Sequence, residues 1–232
     1  MPVKKKTGEN AASGRRLHPS VKLVAAVLAV LLLVLTGIRV VRWAAQRQET
    51  RPLVLINPWN QVDSTRFSPR LKAVEGIQVD SCCAEDLKQM LAACRAQGVS
   101  ISLTAGFRTQ DEQLSLFENE VHRLMGAGNS ADLAYAVAEQ RVGAPGTSEH
   151  ELGLAIDVQG ASAQVWMREN AWQYGFILRY PEGSESVTGR SADNSHFRYV
   201  GRPAAAQIQS LGITLEEYMG MFYTQEAEIV LS

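Results

Sequence analysis

Cysteine is scarce in this sequence, which contains only Cys82, Cys83 and Cys94. The apolar periodicity around Cys94 predicts a helix over residues 81–97. Cys83 and Cys94 would then lie about 16 Å apart along the helix axis, which is too far for a disulfide. A bridge between the adjacent Cys82 and Cys83 would be strained. We therefore expect buried or free thiols rather than a disulfide-stabilised fold.

Two common hydrolase motifs are also absent. The sequence has no G-x-S-x-G segment, so the usual nucleophile elbow of a serine hydrolase is excluded. His150-Glu151 begins like the helical H-E-x-x-H zinc motif, but Leu154 stands where the second histidine is required. No internal repeat is visible. A catalytic centre in this chain would therefore have to follow neither of these two patterns.

Basic residues are few beyond the N-terminal segment. Residues 1–51 hold ten of the 23 Lys and Arg but only two of the 24 Asp and Glu, which leaves residues 52–232 with 13 basic and 22 acidic side chains, a net charge of −9. An acidic domain binds the phosphate backbone poorly, so we expect no nucleic-acid partner. The basic N-terminal segment suits the cytoplasmic side of a membrane.

A long apolar run follows this basic segment. Residues 23–38 would span about 24 Å as a helix, and extension through Trp43, with Arg39 and Arg42 snorkelling, reaches the roughly 30 Å of a bilayer core. A cleaved signal peptide is the alternative, but no clear A-x-A site follows. Six basic residues before the run against four after it favour a cytoplasmic N-terminus. We expect a single-pass protein of the cell membrane with its domain outside the cytoplasm, organised as a tail (1–22), a transmembrane anchor (23–43), a linker (44–52) and one domain (53–232).

The domain alternates short strand patterns with helix patterns. Thr109 and Glu112 form a capping box that opens a helix, and Ser130 caps the next helix. Apolar residues of the first of these helices recur on one face: Leu114, Phe117, Val121 and Leu124. Further helices are predicted near residues 163–174 and after Thr214. Strands are predicted at residues 53–56, 99–104, 152–158, 176–180 and 196–200.

Two histidines and two carboxylates stand near predicted strand ends. Asp157 follows His150 by seven residues, and Asp193 precedes His196 by three. Two imidazoles and one carboxylate can hold zinc and leave a position open for water. A second carboxylate beside that water can accept its proton. Spacing alone is weak support, because a single histidine is usually an ordinary surface or core residue.

The residues around these histidines add a more specific signal. Residues 148–157 resemble the S-x-H-x-x-G-x-A-x-D signature of the VanY-type D-alanyl-D-alanine carboxypeptidase family. Residues 105–113 are similar to its S-G-Y-R-S-x-x-x-Q segment, and residues 174–183 and 196–201 match its later blocks in the same order. The resemblance implies an α+β fold of the hedgehog/DD-peptidase type, with a small antiparallel sheet flanked by helices.

The resemblance also implies roles for particular residues. His150, Asp157 and His196 match the zinc ligands, and Arg108 matches the arginine that stabilises substrate or transition-state charge. Asp193 stands in place of the catalytic base. Two further residues match positions that line the substrate site, Gln113 and Ser148. The implied activity is zinc-dependent removal of the C-terminal D-alanine from peptidoglycan stem peptides.

One departure affects the expected substrate. The D,D-carboxypeptidase pattern has Glu-x-x-His before the last ligand, usually Glu-Pro-Trp-His, whereas this chain has Asp193-Asn194-Ser195-His196. Related endopeptidases that cut between L-alanine and D-glutamate use Asp at that position. An L,D-carboxypeptidase or an L-alanyl-D-glutamate endopeptidase therefore remains an alternative. A non-catalytic wall-binding module and a membrane-tethered structural protein without metal are the alternatives from other functional classes.

Overall fold

A computed structural model of the chain describes residue 28 and residues 32–39, 51–62 and 67–221. Two compact units are distinguished, residues 1–47 and residues 48–232. In the first unit the described residues are helical. No helix in the described part of the chain has both the length and the apolar character that a membrane crossing requires. The predicted tail, most of the predicted anchor and most of the linker lie outside the described residues, so those boundaries stay predictions.

The second unit is an α+β fold with antiparallel sheets flanked by helices, as expected for this part of the chain. Its strands are β1 (Leu71–Val74), β2 (Ile77–Asp80), β3 (Ser102–Ala105), β4 (Ala155–Gln159), β5 (Phe176–Tyr180) and β6 (Asp193–Tyr199). Its helices are α1 (Ala84–Ala96), α2 (Gln110–Gly126), α3 (Ala131–Arg141), α4 (Ala161–Asn170), α5 (Glu185–Thr188), α6 (Arg202–Leu211) and α7 (residues 215–221). Short 3-10 turns cover Arg51–Leu53, Glu149–Leu152 and Ala171–Tyr174.

The larger sheet has the strand order β3-β4-β6-β5, and every neighbouring pair is antiparallel. Side chains alternate between the two faces of a strand. Ile156, Phe197 and Phe176 point to one face, where they join the main hydrophobic core against α1 and α4. On the opposite face lie Asp157, His196 and Arg198, together with Ile177, which packs in a second hydrophobic cluster. The alternation therefore places the two candidate ligands on the face away from the main core.

Helix α2 begins as the sequence predicts. Thr109 is the N-cap, and its reciprocal hydrogen bonds with Glu112 complete the capping box. The buried face differs by one position from the prediction, because Gln113 is fully buried while Leu114 is 41% exposed. Gln113 lies four residues before Phe117 on the same helical face, so a polar residue takes the place that hydrophobicity assigned to Leu114.

The predicted strand at residues 53–56 is wrong. Residues 51–53 form a 3-10 turn, and residues 54–56 belong to no strand. The carbonyl groups of Pro52 and Val54 accept hydrogen bonds from the Arg198 guanidinium. A side chain therefore satisfies backbone groups that a sheet ladder would otherwise pair. The sequence reading also missed the β1–β2 hairpin, whose turn contains Glu75 with a φ of 47°.

All three cysteines are free thiols. Cys83 and Cys94 are buried in the main core, and Cys82 packs against it. Cys83 precedes α1 and Cys94 lies in its last turn, so the helix separates the two sulfurs as predicted. The expectation of a fold without disulfides is confirmed.

Candidate metal centre

The register of the sheet brings together two of the predicted ligands. Asp157 on β4 and His196 on β6 are direct cross-strand partners, so their side chains project from the same face of the sheet about one strand spacing apart. His196 Nδ1 lies 2.9 Å from Asp157 Oδ1. Residues 39 positions apart in the sequence are thus placed in contact by strand pairing.

His150 reaches the same point from the 3-10 turn that precedes β4. Its Nδ1 lies 2.7 Å from the carbonyl oxygen of Gly106. Because a carbonyl can only accept, Nδ1 carries the proton and Nε2 is left with a lone pair. That Nε2 is 3.3 Å from Asp157 Oδ1 and is buried without a hydrogen-bond partner. The ring is therefore oriented as a metal ligand would be.

Close packing around Gly106 supports this orientation. A Cβ atom on Gly106 would stand 2.4 Å from the carbonyl oxygen of Gln78. The neighbouring Phe107 amide donates to that same carbonyl. A residue without a side chain thus allows β2 to approach the backbone that holds His150.

The three predicted ligands meet the geometric requirement for one cation. One donor atom from each of His150, Asp157 and His196 lies within 4.8 Å of the others. Two imidazole nitrogens and one carboxylate oxygen form a donor set suited to Zn²⁺ with an open fourth position. The buried lone pair of His150 Nε2 is the clearest sign of fit, since nothing else in the described structure satisfies it.

The electrostatics of the centre favour a charged carboxylate and neutral His150. Burial alone would raise the pKa of Asp157, but the adjacent His150 and His196 hold it well below its ordinary value. Burial lowers the pKa of His150. Burial also opposes charge on His196, yet hydrogen bonds to two carboxylates raise its pKa to about 9. A metal ion therefore competes with a proton for His196.

Glu149 is a buried member of the site that sequence reasoning did not place at the metal centre. Its Oε2 lies 3.2 Å from His196 Nε2. Its Oε1 lies 2.7 Å from Arg179 Nε and 3.1 Å from Arg198 Nη1. Burial favours the neutral carboxyl, but these two guanidinium groups keep the pKa of Glu149 well below its usual range.

Arg108 lies on the other side of Asp157. Its Nη2 is 3.7 Å from Asp157 Oδ2, and its backbone amide donates to the His150 carbonyl. Gln113 Oε1 accepts from Arg108 Nη1 at 3.2 Å, while the Gln113 amide nitrogen donates to the carbonyl groups of Val142 and Gly143. Gln113 therefore supports Arg108 from within the core, and direct contact between Gln113 and a substrate stays a prediction.

Asp193 begins β6 and is half-buried. Its Oδ1 accepts from the Ser195 amide at 2.8 Å and from the Ser195 hydroxyl at 2.6 Å. The second oxygen, Oδ2, has no hydrogen-bond partner among the residues that the structure describes. One oxygen thus fixes the carboxylate, and the other is available for proton transfer.

These residues open onto one cavity of about 410 Å³. Arg108 and Asp193 line it together with the three candidate ligands, and the buried Ser148 lines it as predicted for a residue near the substrate. Tyr180 also lines it, with its ring stacked on His196 at a centroid distance of 5.1 Å. The cavity is large enough for part of a peptide rather than for a metal ion alone.

The residues that sequence reasoning missed carried a weak signal. Arg179 and Arg198 each stand between two apolar or aromatic neighbours in a strand, and both prove fully buried. A buried charge requires a partner, so an arginine inside a core strand implies an acidic residue near it. The sequence alone did not identify Glu149 as that residue.

Known proteins are similar to this chain in sequence and in fold. Residues 76–202 match the family described as VanY, D-alanyl-D-alanine carboxypeptidase. The chain is similar to a D-alanyl-D-alanine carboxypeptidase of Enterococcus faecalis, with 34% identity over 72% of this chain and 65% of the relative. The chain therefore spans slightly less than two thirds of that protein.

Two solved structures are similar as well. One is a variant of the D,D-pentapeptidase VanY from a VanB-type vancomycin resistance cassette in complex with Zn(II), with a TM-score of 0.70, 34% identity and coverage of 73% of this chain and 99% of that chain. The other is VanYB in complex with D-alanine-D-alanine, also with a TM-score of 0.70 and 34% identity over 73% of this chain and 97% of that chain.

Proposed function

Because the chain belongs to the VanY family of D-alanyl-D-alanine carboxypeptidases, we propose that it is a zinc-dependent carboxypeptidase that removes the C-terminal D-alanine from peptidoglycan stem peptides. The observation that carries the proposal is that His150 Nε2 and His196 Nδ1 lie 3.3 and 2.9 Å from Asp157 Oδ1, in a group of three donors that lines the cavity. A relative with Zn(II) and one with D-alanine-D-alanine support the metal and the substrate class.

The three convergent residues would hold the zinc ion, which when bound supplies Lewis acidity to the reaction. Asp193 acts as the general base through its free Oδ2 and returns the proton to the departing amine. Arg108 stabilises negative charge that develops on the scissile carbonyl oxygen. Ser148 lines the space for the peptide, and Gln113 contributes to the substrate site through Arg108.

Replacement of Arg108 by alanine is expected to reduce kcat/KM by about 10²–10³, comparable to removal of one oxyanion-stabilising donor. Zinc content should stay at the wild-type value, because Arg108 contacts Asp157 only at 3.7 Å and donates no metal ligand. Arg108→Lys should also be poor, since an ammonium group cannot reproduce the planar guanidinium fork. Steady-state kinetics and metal analysis on the same preparations measure both effects.

The control for this prediction is Arg168→Ala, which removes an exposed arginine from α4. That variant should retain wild-type kinetics. Wild-type activity in Arg108→Ala would remove Arg108 from the catalytic group.

The proposed reaction is tested by mass spectrometry of peptide products. The full-length protein with zinc should convert a pentapeptide stem into a tetrapeptide and free D-alanine, and a chelator should prevent this. Conversion of tetrapeptide to tripeptide would instead indicate an L,D-carboxypeptidase, and cleavage between L-alanine and D-glutamate an endopeptidase. Binding of wall fragments without any cleavage would support the non-catalytic module.

We also infer a single-pass location in the cell membrane, with residues 1–22 in the cytoplasm, residues 23–43 as the anchor and the catalytic domain outside. The support is the basic tail, the apolar run and the location of peptidoglycan. Reporter enzymes fused after Ser232 test it, since one that works only outside the cytoplasm should be active. Activity solely from a cytoplasm-specific reporter would contradict the inference.

A further inference from the structure

His196 is held by carboxylates at both ring nitrogens. Nδ1 lies 2.9 Å from Asp157 Oδ1, and Nε2 lies 3.2 Å from Glu149 Oε2. An ionised carboxylate can only accept a hydrogen bond, so each ring nitrogen can donate to the carboxylate that it faces. Asp157 Oδ1 also lies 3.3 Å from His150 Nε2, so Nδ1 is directed to the candidate metal position, and Nε2 keeps its proton against Glu149 when a cation replaces the proton on Nδ1.

Glu149 is itself fixed by a chain of buried ion pairs. Its Oε1 accepts a hydrogen bond from Arg179 Nε at 2.7 Å and forms an ion pair with Arg198 Nη1 at 3.1 Å, and the side chains of all three residues have no solvent exposure. Arg179 continues the chain with two hydrogen bonds of 2.9 and 2.6 Å to the carboxylate of Glu216 on α7. Asn57 donates to Glu216 from the N-terminal side of the unit. The Glu149 carboxylate is therefore held on several sides.

Two roles are consistent with such a network. In the first, Glu149 only neutralises two arginines that the fold has buried, and its loss affects stability alone. In the second, the network serves the ring that it contacts, because a carboxylate bonded to the remote nitrogen of a ligating histidine sets its tautomer and orientation. The distribution of oxygens favours the second role: Oε1 serves both arginines, and Oε2 is directed to His196.

We propose that Glu149 is a positioning residue for His196, which it orients so that Nδ1 rather than Nε2 binds zinc. This inference rests on the proposed function, since it requires a metal at the site. Glu149 would then be a residue outside the three ligands that determines how tightly His196 binds zinc.

The test compares two identical chemical changes in the full-length protein. Glu149→Asp retains the negative charge for the arginines but withdraws the carboxylate by about one methylene, roughly 1.5 Å, from His196. Glu216→Asp makes the same change at the far end of Arg179, where no contact with His196 exists. Zinc affinity is measured by competition with a chelator, and thermal unfolding is measured on the metal-free proteins.

Glu149→Asp is expected to weaken zinc binding by about 10–100-fold, the usual effect of losing an outer partner of a ligating histidine. Glu216→Asp should lower the midpoint of thermal unfolding and leave zinc affinity within about twofold of wild type. Equal zinc affinity in Glu149→Asp and wild type would overturn the proposal and leave Glu149 a structural role.

A measurement on the wild-type protein decides the matter even if Glu149→Asp does not fold. Nitrogen NMR of the histidine rings in the zinc-loaded protein should show His196 protonated at Nε2 and metal-bound at Nδ1. Coordination through Nε2 would overturn the proposal while leaving the proposed function intact. Failure of the wild-type protein to bind zinc would contradict both.

Discussion

His150→Ala is expected to reduce zinc affinity by more than about 100-fold, and activity at ordinary zinc concentrations should be lost with the metal. Loss of an outer-shell partner alone costs 10–100-fold, and this change removes one of only three donors. Alanine also frees the Gly106 carbonyl, to which His150 Nδ1 now donates at 2.7 Å. Chelator competition gives the affinity, and metal analysis after gel filtration gives the stoichiometry.

His122→Ala is the matched control, because it removes an exposed histidine of α2 that lies outside the cluster. This variant should bind one zinc with wild-type affinity. If His150→Ala also bound one zinc as tightly as wild type, the ligand assignment would be wrong.

Features that depend on residues close together in the sequence were predicted correctly. The capping box at Thr109 and the N-cap at Ser130 correctly start two helices, because an N-cap satisfies backbone amides within its own first turn. The strand at residues 176–180 was also correct in its bounds. The candidate ligands His150 and His196 were identified from motifs whose residues lie close together along the chain.

Features that depend on distant contacts and lie outside the matched motifs were not predicted from the sequence. The bond between Glu149 and the two arginines joins residues 30 and 49 positions apart on three different elements. Pattern reasoning does not reveal which buried arginine meets which acid, because periodicity gives the face of a strand but not its neighbour. For the same reason residues 53–56 were assigned to a strand, although the Val54 carbonyl accepts from Arg198.

Asp193, which stands where the family pattern has Glu, is held in place by a residue close to it in the sequence. Ser195 donates to one Asp193 oxygen with both its amide and its hydroxyl, and a bond to the backbone two residues on is one that the short Asp side chain commonly makes. The family pattern has a longer Glu in this position and no Asp-x-Ser sequence. The Asp193–Ser195 contacts thus fix one oxygen of the proposed base at the cavity.

Asp193→Asn is expected to lower kcat by about 10²–10⁴, the usual contribution of a general base, with zinc content unchanged. The amide is nearly isosteric, and its oxygen can still accept from Ser195, so the geometry of β6 should persist. An amide cannot accept the proton that the free Oδ2 would take. Pre-steady-state or steady-state kinetics on a pentapeptide, with metal analysis of the same samples, measure the effect.

Asp132→Asn supplies the control, because it makes the same change at an exposed position in the first turn of α3 and should leave kcat unchanged. Asp193→Glu tests the length of the side chain. Its carboxylate extends about 1.5 Å further, which should break the hydrogen bonds with Ser195. The carboxylate should then no longer lie within the 2.6–3.2 Å that a general base needs to reach the proton it abstracts. That variant should keep zinc and lose part of its activity. Full activity in Asp193→Asn would instead assign the base to another residue, and the buried Glu149 and the half-buried Glu151 would be tested next.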